Sequence, residues 1–320
     1  MSRFLVQSVA HSLLSLFLVE ASLRIWQVES ARERFRHRMV ILVAPLLMFP
    51  LFQWIQPERG SFYFSRDIAL FTSATWLGLH GWGTIPLSLF FWLLLAVTAA
   101  VTLVQEVGSI LRNFGRSRPT RAPEPAVEAD LRGTVAELSR KLGIPAPAVL
   151  LGPDRGPSLL VNGTRNPSII VSETILEQFG RRQLRSALAH ELAHIVRRSN
   201  VSTLLAFVSR MLMFYNPVSL FVFRRLVQDD EQVCDDITVS ATGDREALAR
   251  LLQSFLVESA AGGLATGSSR KERVLASSSN LLLKERIFRL QAGAAAAGDP
   301  APGVFWLTLL AVVCFCYLVV

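Results

Sequence analysis

Long apolar segments alternate with charged ones along this chain of 320 residues. Residues 85–104 carry no charged side chain, and about 20 residues of α-helix cross the roughly 30 Å hydrocarbon core of a bilayer. Weaker apolar segments lie at residues 4–19, 39–55 and 304–320. The pattern predicts an α-helical multi-pass membrane protein. We expect spans at about residues 4–26, 39–56 and 85–106, in an N-terminal membrane domain of residues 1–114, and a last span at residues 304–320.

The composition and the placement of charge agree with this prediction. The chain is 51% hydrophobic and only 18% charged, and its net charge of +8 is concentrated beside the predicted spans. One arginine cluster follows the first span and another follows the third: Arg24, Arg32, Arg34, Arg36 and Arg38, then Arg112, Arg116, Arg118 and Arg121. Because basic loops stay in the cytoplasm, we expect an outside N-terminus and a cytoplasmic segment after the third span.

This distribution indicates a protein of the plasma or inner membrane that contacts lipid, and it argues against direct nucleic-acid binding. The three cysteines do not suggest a disulfide framework, since two of them lie within the last predicted span.

One segment leaves an alternative open. Residues 68–82 are apolar but contain Gly78, His80 and Gly81, which favours an interfacial or re-entrant segment. If they formed a full span, the following domain would lie on the other side of the membrane.

The soluble part is predicted to be a domain of residues 126–291 between linkers at residues 115–125 and 292–303. Apolar residues recur at helical spacing from Val127 to Leu142. Three short apolar runs follow at residues 148–151, 158–161 and 168–171, separated by Gly, Pro and Asn, and they predict a small antiparallel sheet. Helices follow the sheet, so the domain is expected to be α+β.

The helix that follows contains the sequence LRSALAHELAHIVRRSN, residues 184–200. His190 and His194 are four residues apart, so both rings can reach one ion from the same helix face. Glu191 lies about 100° around the helix, where a general base could take a proton from a water on the ion. By itself the motif also occurs in unrelated chains, in which these are ordinary helix histidines.

A catalytic zinc site takes three protein ligands, and no histidine follows His194 in this chain. The third ligand is therefore expected to be a carboxylate from the segment QDDEQVCDDI, which offers Asp229, Asp230, Glu231, Asp235 and Asp236. Glu231 and Asp235 are four apart, so one could bind the ion while the other holds the outer nitrogen of a ligand histidine. The alternatives are a solvated acidic face and, for Cys234, a soft ligand or a small buried packing residue.

The intervening residues 201–226 are apolar, but Arg210 and Pro217 interrupt them. If His190 before this segment and Glu231 after it bind one ion, both lie on the same side of the membrane. The chain between them then crosses the membrane an even number of times. We predict a hairpin with no crossing that leans on the membrane surface.

The segments HELAHIVRRSN, FYNPVSLFVFRRL and DDEQVCDDI, in this order, resemble the BlaR/MecR-type membrane metallopeptidases, an antirepressor and β-lactam-sensor transducer family. PSLLVNGTRNPSIIVSETIL and LLLKERIFRLQ resemble it as well. The resemblance implies a zincin-like (gluzincin) domain with zinc ligands His190, His194 and Glu231, the catalytic base Glu191, and Asp235 as partner of a ligand histidine. It also implies that a substrate peptide adds to an edge strand at Ser158, Leu159, Leu160, Val161 and Asn162.

Two features depart from that family. Ser199 and Asn200 replace the acidic residue often found after the second histidine, and the chain ends at Val320. The extracellular sensor domain is therefore expected to be absent, and direct β-lactam sensing is not expected. CAAX-protease and HtpX-like metallopeptidases share the set of two histidines and one glutamate. The Asn216-Pro217 break and the CDD sequence favour the BlaR/MecR type.

We therefore expect an integral-membrane zinc endopeptidase that acts in signal transduction by cleaving a cytoplasmic regulator, such as a transcriptional repressor, or itself. One alternative is a non-catalytic signalling or scaffold protein with a structural zinc and four protein ligands, Cys234 being the fourth. Another is a quality-control peptidase of the CAAX-protease/HtpX type. A third is a basic membrane-surface protein without metal.

Overall fold

The computed structural model describes residues 2–60, 85–113, 125–152, 159–162, 167–198, 201–265, 270–293 and 303–319, with isolated residues at 64, 69, 72, 78, 80, 81 and 301. Three predictions therefore fall wholly or mostly outside the described residues. They concern the segment 68–82, the two linkers and Ser158.

The described residues are mostly helical. The helices are α1 (Ser2–Ile25), α2 (Ala31–Ile55), α3 (Leu87–Asn113), α4 (Pro125–Leu142), α5 (Glu173–Gln178), α6 (Arg181–Arg198), α7 (Val201–Leu212), α8 (Pro217–Thr242), α9 (Arg245–Ala265), α10 (Arg270–Gln291) and α11 (Gly303–Tyr317). A 3₁₀ turn covers Pro57–Gly60. The strands are β1 (His80–Gly81), β2 (Ile85–Pro86), β3 (Ala148–Gly152), β4 (Leu159–Asn162) and β5 (Ser168–Ser172).

The chain forms two compact units. The first comprises Met1–Arg116, Ser202–Asp230 and Gly298–Val320, and the second comprises Ser117–Val201 and Glu231–Ala297. This division differs from the single domain predicted for residues 126–291. The physical reason is that apolar side chains of α7 and the first half of α8 belong to one core with α1, α2 and α11; they are Ala206, Val218, Val222 and Leu226.

Two helices of the first unit are long and apolar enough to cross a membrane, Phe4–Ile25 and Ala31–Ile55. Shorter apolar helices cover Ser88–Val104 and Gly303–Tyr317. The predicted span at residues 39–56 starts later than α2, because the arginine-rich residues that precede it are also helical. Length and composition thus suggest a membrane protein.

Polar contacts fix the directions of three helices in the first unit. Ser22 Oγ lies 2.5 Å from Thr308 Oγ1, and His11 Nε2 lies 3.2 Å from the carbonyl of Val319, so α1 and α11 are antiparallel. Arg59 follows α2 and donates to the carbonyls of Cys316 and Tyr317 at 2.8 and 2.9 Å, at the C-terminal end of α11. These donors satisfy helix-end carbonyls that would otherwise be unpaired.

A buried ionic cluster joins α1, α2 and α8 in the same unit. Arg38 donates to Glu20 Oε1 at 2.9 Å and to Asp229 Oδ2 at 2.6 Å. Arg34 Nε contacts Asp229 Oδ1 at 3.3 Å. The side chains of Arg38 and Asp229 are only 9% and 3% exposed, so each charge depends on its partners instead of on water.

In the second unit, α4, α5 and α6 pack on a three-stranded sheet with the order β3-β5-β4. The predicted antiparallel sheet is wrong for one of its two pairs, because β3 and β5 are parallel whereas β4 and β5 are antiparallel. The strand direction changes from β3 to β4 and again from β4 to β5, so the first and third strands run the same way. With β5 in the centre, β3 and β5 must pair in parallel.

Helix α6 lies between two apolar cores of the second unit. On one side it packs with α4 and the sheet through Leu188 and Leu192, which are fully buried. On the other side Ala187 packs with α9 and α10. Two apolar cores therefore hold α6 in place. As a result, the side chains on its remaining face have fixed positions.

The ionic cluster in the first unit leads to a stability prediction. We expect Arg38→Ala to lower the thermal midpoint of the detergent-solubilised protein. Removing one partner of a buried ion pair lowers the free energy of unfolding by about 3–5 kcal/mol. Arg34 would still contact Asp229 and should preserve part of the stability that the cluster provides. Arg32 is exposed on the same helix, and Arg32→Ala should change stability by about 0.5 kcal/mol or less. Equal midpoints for the two variants would contradict the assigned role of the cluster.

Candidate metal centre

Helix α6 presents two histidines and a glutamate on the face that the apolar cores leave free. Leu188, Leu192 and Ala193 have no exposed surface, whereas His190, Glu191 and His194 are half-buried. The apolar side chains fix the rotation of the helix, and the 3.6-residue period then places His190 above His194 on one side. Their ring centroids are 4.8 Å apart.

Helix α8 brings Glu231 to both imidazoles. Glu231 Oε2 lies 3.5 Å from His190 Nε2, and Glu231 Oε1 lies 3.5 Å from His194 Nε2. One ligand atom from each of the three residues lies within 4.8 Å of the other two. Within the part of the chain that the structure describes, these three residues are the group of histidine, cysteine or acidic side chains close enough together to hold a metal ion.

The donor set and the spacing fit a zinc ion. Zinc binds histidine nitrogen and carboxylate oxygen at about 2.0–2.2 Å, so two ligands of a tetrahedral ion are about 3.3 Å apart. The two nitrogen–oxygen distances of 3.5 Å are close to this value.

The outer nitrogens of the two rings face different partners on α8. His190 Nδ1 is buried without a hydrogen bond among the described residues, but it lies 3.4 Å from Asp235 Oδ1. His194 Nδ1 lies 3.4 Å from Cys234 Sγ. A group that holds the outer nitrogen of a ligand histidine orients the ring and selects its tautomer. Asp235 and Cys234 lie where such groups are needed.

Two other acidic residues of α8 pair with arginines. Asp229 belongs to the first unit and pairs with Arg34 and Arg38. Asp236 accepts a hydrogen bond from Arg289 at 2.8 Å. Glu231 and Asp235 both approach the histidines.

Sequence reasoning missed Arg286, which α10 places directly at this group. Its Nε and Nη2 donate to the two oxygens of Asp235, each at 2.7 Å, and its Nη1 donates to Glu231 Oε2 at 2.9 Å. The side chain is only 12% exposed. The available signal was an arginine within LLLKERIFRLQ, a segment that resembles the family but has no metal-binding motif of its own.

The environment keeps Glu231 ionised. Burial alone would raise its pKa, but the hydrogen bond with His190 and the charges of Arg286, His194 and His190 outweigh burial and lower the pKa to about 2. The pKa of Arg286 is raised, because the favourable contacts with Asp235 and Glu231 outweigh its burial. At neutral pH Glu231 is therefore a carboxylate, the form in which it can bind a metal.

The predicted substrate strand is the outer strand of the sheet as far as the structure describes it. Residues Leu159–Asn162 form β4, which pairs with β5 through Leu159–Val171 to Asn162–Ser168. Ser158 lies outside the described residues. Strand β4 also contacts α6, the helix that carries both histidines.

Comparison with known proteins agrees with this geometry. Residues 69–288 match the family model described as BlaR1 peptidase M56. Three relatives match shorter segments. A protease HtpX homolog of Persephonella marina is 40% identical over 70 residues, 21% of this chain and 24% of the relative. Protease HtpX of Hahella chejuensis is 32% identical over 104 residues, 31% and 36% of the two chains. Protease HtpX of Acinetobacter baumannii is 33% identical over 117 residues, 34% and 39%.

The two kinds of match differ in extent. The HtpX segments cover less than half of each relative's length, so they indicate local similarity. The M56 model covers more than half of this chain and includes both histidines, Glu231 and Arg286. The chain therefore belongs to the BlaR1 peptidase M56 family.

Proposed function

We propose that this protein is a zinc-dependent endopeptidase of the membrane. The observation that carries the proposal is the convergence of His190, His194 and Glu231 from two helices, with nitrogen–oxygen distances of 3.5 Å. Their chemistry and spacing suit one zinc ion. Membership of a peptidase family supports the same reaction class.

Each residue then has a defined role. His190, His194 and Glu231 would hold the ion, and Glu191 would act as general base. Glu191 follows His190 directly, so its carboxylate lies beside the ligand face and could accept a proton from the attacking water. The same carboxyl group would then donate that proton to the leaving amine nitrogen. When bound, Zn²⁺ supplies Lewis acidity that polarises the scissile carbonyl and lowers the pKa of water towards about 7.

A structural zinc site with Cys234 as fourth ligand fits the geometry less well. The Cys234 sulfur contacts Nδ1 of His194, whereas Nε2 of the same ring faces Glu231. These two nitrogens lie on different sides of the imidazole, so a sulfur beside Nδ1 cannot share an ion with Nε2. The arrangement supports a three-ligand site with one coordination position open for chemistry.

The edge strand supports a polypeptide substrate. In β-strand addition, the main chain of a peptide pairs with the unpaired edge of a sheet, and side-chain pockets supply specificity. Strand β4 would offer this edge at Leu159–Asn162, and its contact with α6 supports a substrate position near the histidine helix.

A multi-pass arrangement with a cytoplasmic peptidase unit is part of the proposal. Helices α1 and α11 are antiparallel, as expected if one enters the cytoplasm and the other leaves it. The arginines around the link from α1 to α2 support a cytoplasmic position for that link.

The substrate is proposed to be a cytoplasmic regulator, such as a repressor, or the chain itself. The similarity to HtpX proteases favours a second candidate, a quality-control peptidase with many substrates. Labelling of new protein N-termini in cells that carry the wild type or Glu191→Gln distinguishes them. One or a few cleavage sites support signalling, whereas many sites across unrelated membrane proteins support quality control.

The general-base role predicts a specific loss of activity. We expect Glu191→Gln to lower peptide cleavage by about 10²–10⁴-fold, because the amide cannot accept the proton, while zinc content stays unchanged. Cleavage is followed by mass spectrometry of the products. Glu177→Gln is the matched control, since Glu177 is exposed in the same unit, and it should keep full activity. Cleavage by Glu191→Gln at the wild-type rate would contradict the role of Glu191.

The ligand assignment predicts zinc content independently of activity. The purified protein should hold one zinc ion per chain by elemental mass spectrometry, and Glu231→Ala should lose it on dialysis. Cys234→Ser should keep it, because the sulfur lies on the outer side of the His194 ring. Loss of zinc from Cys234→Ser together with retention in Glu231→Ala would favour the structural site.

Arg286 is proposed to be a positioning residue for Glu231 and Asp235. It binds both oxygens of Asp235, which faces His190 Nδ1, and one oxygen of Glu231. Arg286→Ala should weaken zinc affinity by about 10–100-fold, the usual effect of losing a group that orients a metal ligand. A chelator competition measures this affinity.

Arg289→Ala provides the matched control. Arg289 lies one turn further along α10 and pairs with Asp236, which does not approach the histidines. Its substitution should leave zinc affinity within about twofold of the wild type, well inside the 10–100-fold range expected at a ligand-orienting residue. Equal weakening in both variants would show that α10 acts through folding and not through Arg286.

A further inference from the structure

Helix α7 has an inverted distribution of polar and apolar side chains. Its exposed residues are large and apolar: Leu204, Leu205, Phe207, Val208, Met211 and Leu212. At about 100° per residue these six side chains cover a continuous arc of about 160°. The opposite side buries Ser209 and Arg210, and the Arg210 guanidinium lies 4.7 Å from the centre of the Phe223 ring of α8. A helix in water shows the opposite pattern.

The turn after α7 is held against the N-terminal half of α1. Tyr215 Oη lies 2.9 Å from Ser8 Oγ, and the Asn216 side-chain amide donates to Ser12 Oγ at 2.8 Å. Asn216 Oδ1 accepts the backbone N–H of Val218 at 3.0 Å, which starts α8 directly after the turn. The turn therefore belongs among the transmembrane-type helices of the first unit.

The other end of this segment is held near the opposite end of α1. Asp229 on α8 shares Arg38 with Glu20, and Glu20 lies eight to twelve residues from Ser12 and Ser8. At 1.5 Å per residue, the turn and the ionic cluster are about 12–18 Å apart along α1. This distance is about half of the hydrocarbon core of a bilayer.

We propose that α7 and the first half of α8 form a re-entrant hairpin inserted into the membrane, and that lipid acyl chains cover the exposed arc of α7. The hairpin enters and leaves on one side, so it makes no crossing. The sequence prediction that it leans on the membrane surface would then be replaced by insertion to about mid-depth, with the Asn216-Pro217 turn as the deepest point.

Lipid is favoured over a second protein copy because exposed apolar side chains are spread over several helices of the unit. Large apolar side chains are also exposed on α2, α3 and α11 of the same unit, for example Trp54, Leu93 and Leu310. A partner chain would cover one patch, whereas a bilayer covers all helices of a membrane unit at once. The burial of Arg210 against Phe223 also keeps the charge of α7 away from the lipid side.

Spin labels test this proposal in the full chain reconstituted in phosphatidylethanolamine/phosphatidylglycerol vesicles. Single cysteines replace Leu204, Val208 and Leu212 in turn, in a variant without the three native cysteines. Power saturation then measures collisions with oxygen, which concentrates in lipid, and with a nickel chelate, which stays in water. We expect an oxygen-to-nickel ratio several-fold above that of Val257→Cys, and a rise from position 204 to position 212.

Positions 257 and 206 are the controls for exposure to water and for burial in protein. Val257 is an apolar residue of the second unit that is 68% exposed, and Ala206 is buried on α7. Nickel accessibility like that of position 257 at the three sites would place α7 in water. Low accessibility to both reagents, like that of position 206, would place it against protein, as in a dimer. A high ratio that does not rise towards position 212 would place it along the surface. Each of these results would overturn the proposal.

Discussion

The approach of one carboxylate to two imidazoles is the interaction on which the proposed chemistry of this protein depends. Glu231 reaches both rings because α6 and α8 come together, although 36 residues separate Glu231 from His194 in sequence. Two buried apolar cores hold α6 in place, and its histidines keep their positions because the helix cannot rotate. The apolar packing therefore supplies the geometry, and the polar side chains would supply the metal binding.

In the same polar cluster the Arg286 guanidinium contacts two carboxylates. Arg286 neutralises part of the charge of Glu231 and Asp235, which are two carboxylates against one guanidinium. A site with excess negative charge favours a divalent cation, and the guanidinium limits the repulsion between the carboxylates before the ion binds. This balance explains how an arginine can lie beside the proposed metal ligands without opposing their proposed role.

Much of the site could be predicted from sequence because its determinants are local. The spacing of His190 and His194 fixes one face of a helix, and the spacing of Glu231 and Asp235 fixes the face of another. The parallel pairing of β3 and β5 could not be read from the short apolar runs, because strand order depends on the whole unit. Arg286 and the contact of Cys234 with His194 depend on how α10 and α8 pack against α6, which is a long-range property.

Zinc-edge X-ray absorption of the purified, zinc-loaded protein tests the central claim most directly. It reports the atoms bound to the ion in the intact chain. The account predicts about four nitrogen or oxygen neighbours at about 2.0–2.1 Å, with imidazole scattering from two rings and no sulfur. A sulfur neighbour at about 2.3 Å, or a spectrum unchanged by Glu231→Ala, would contradict it.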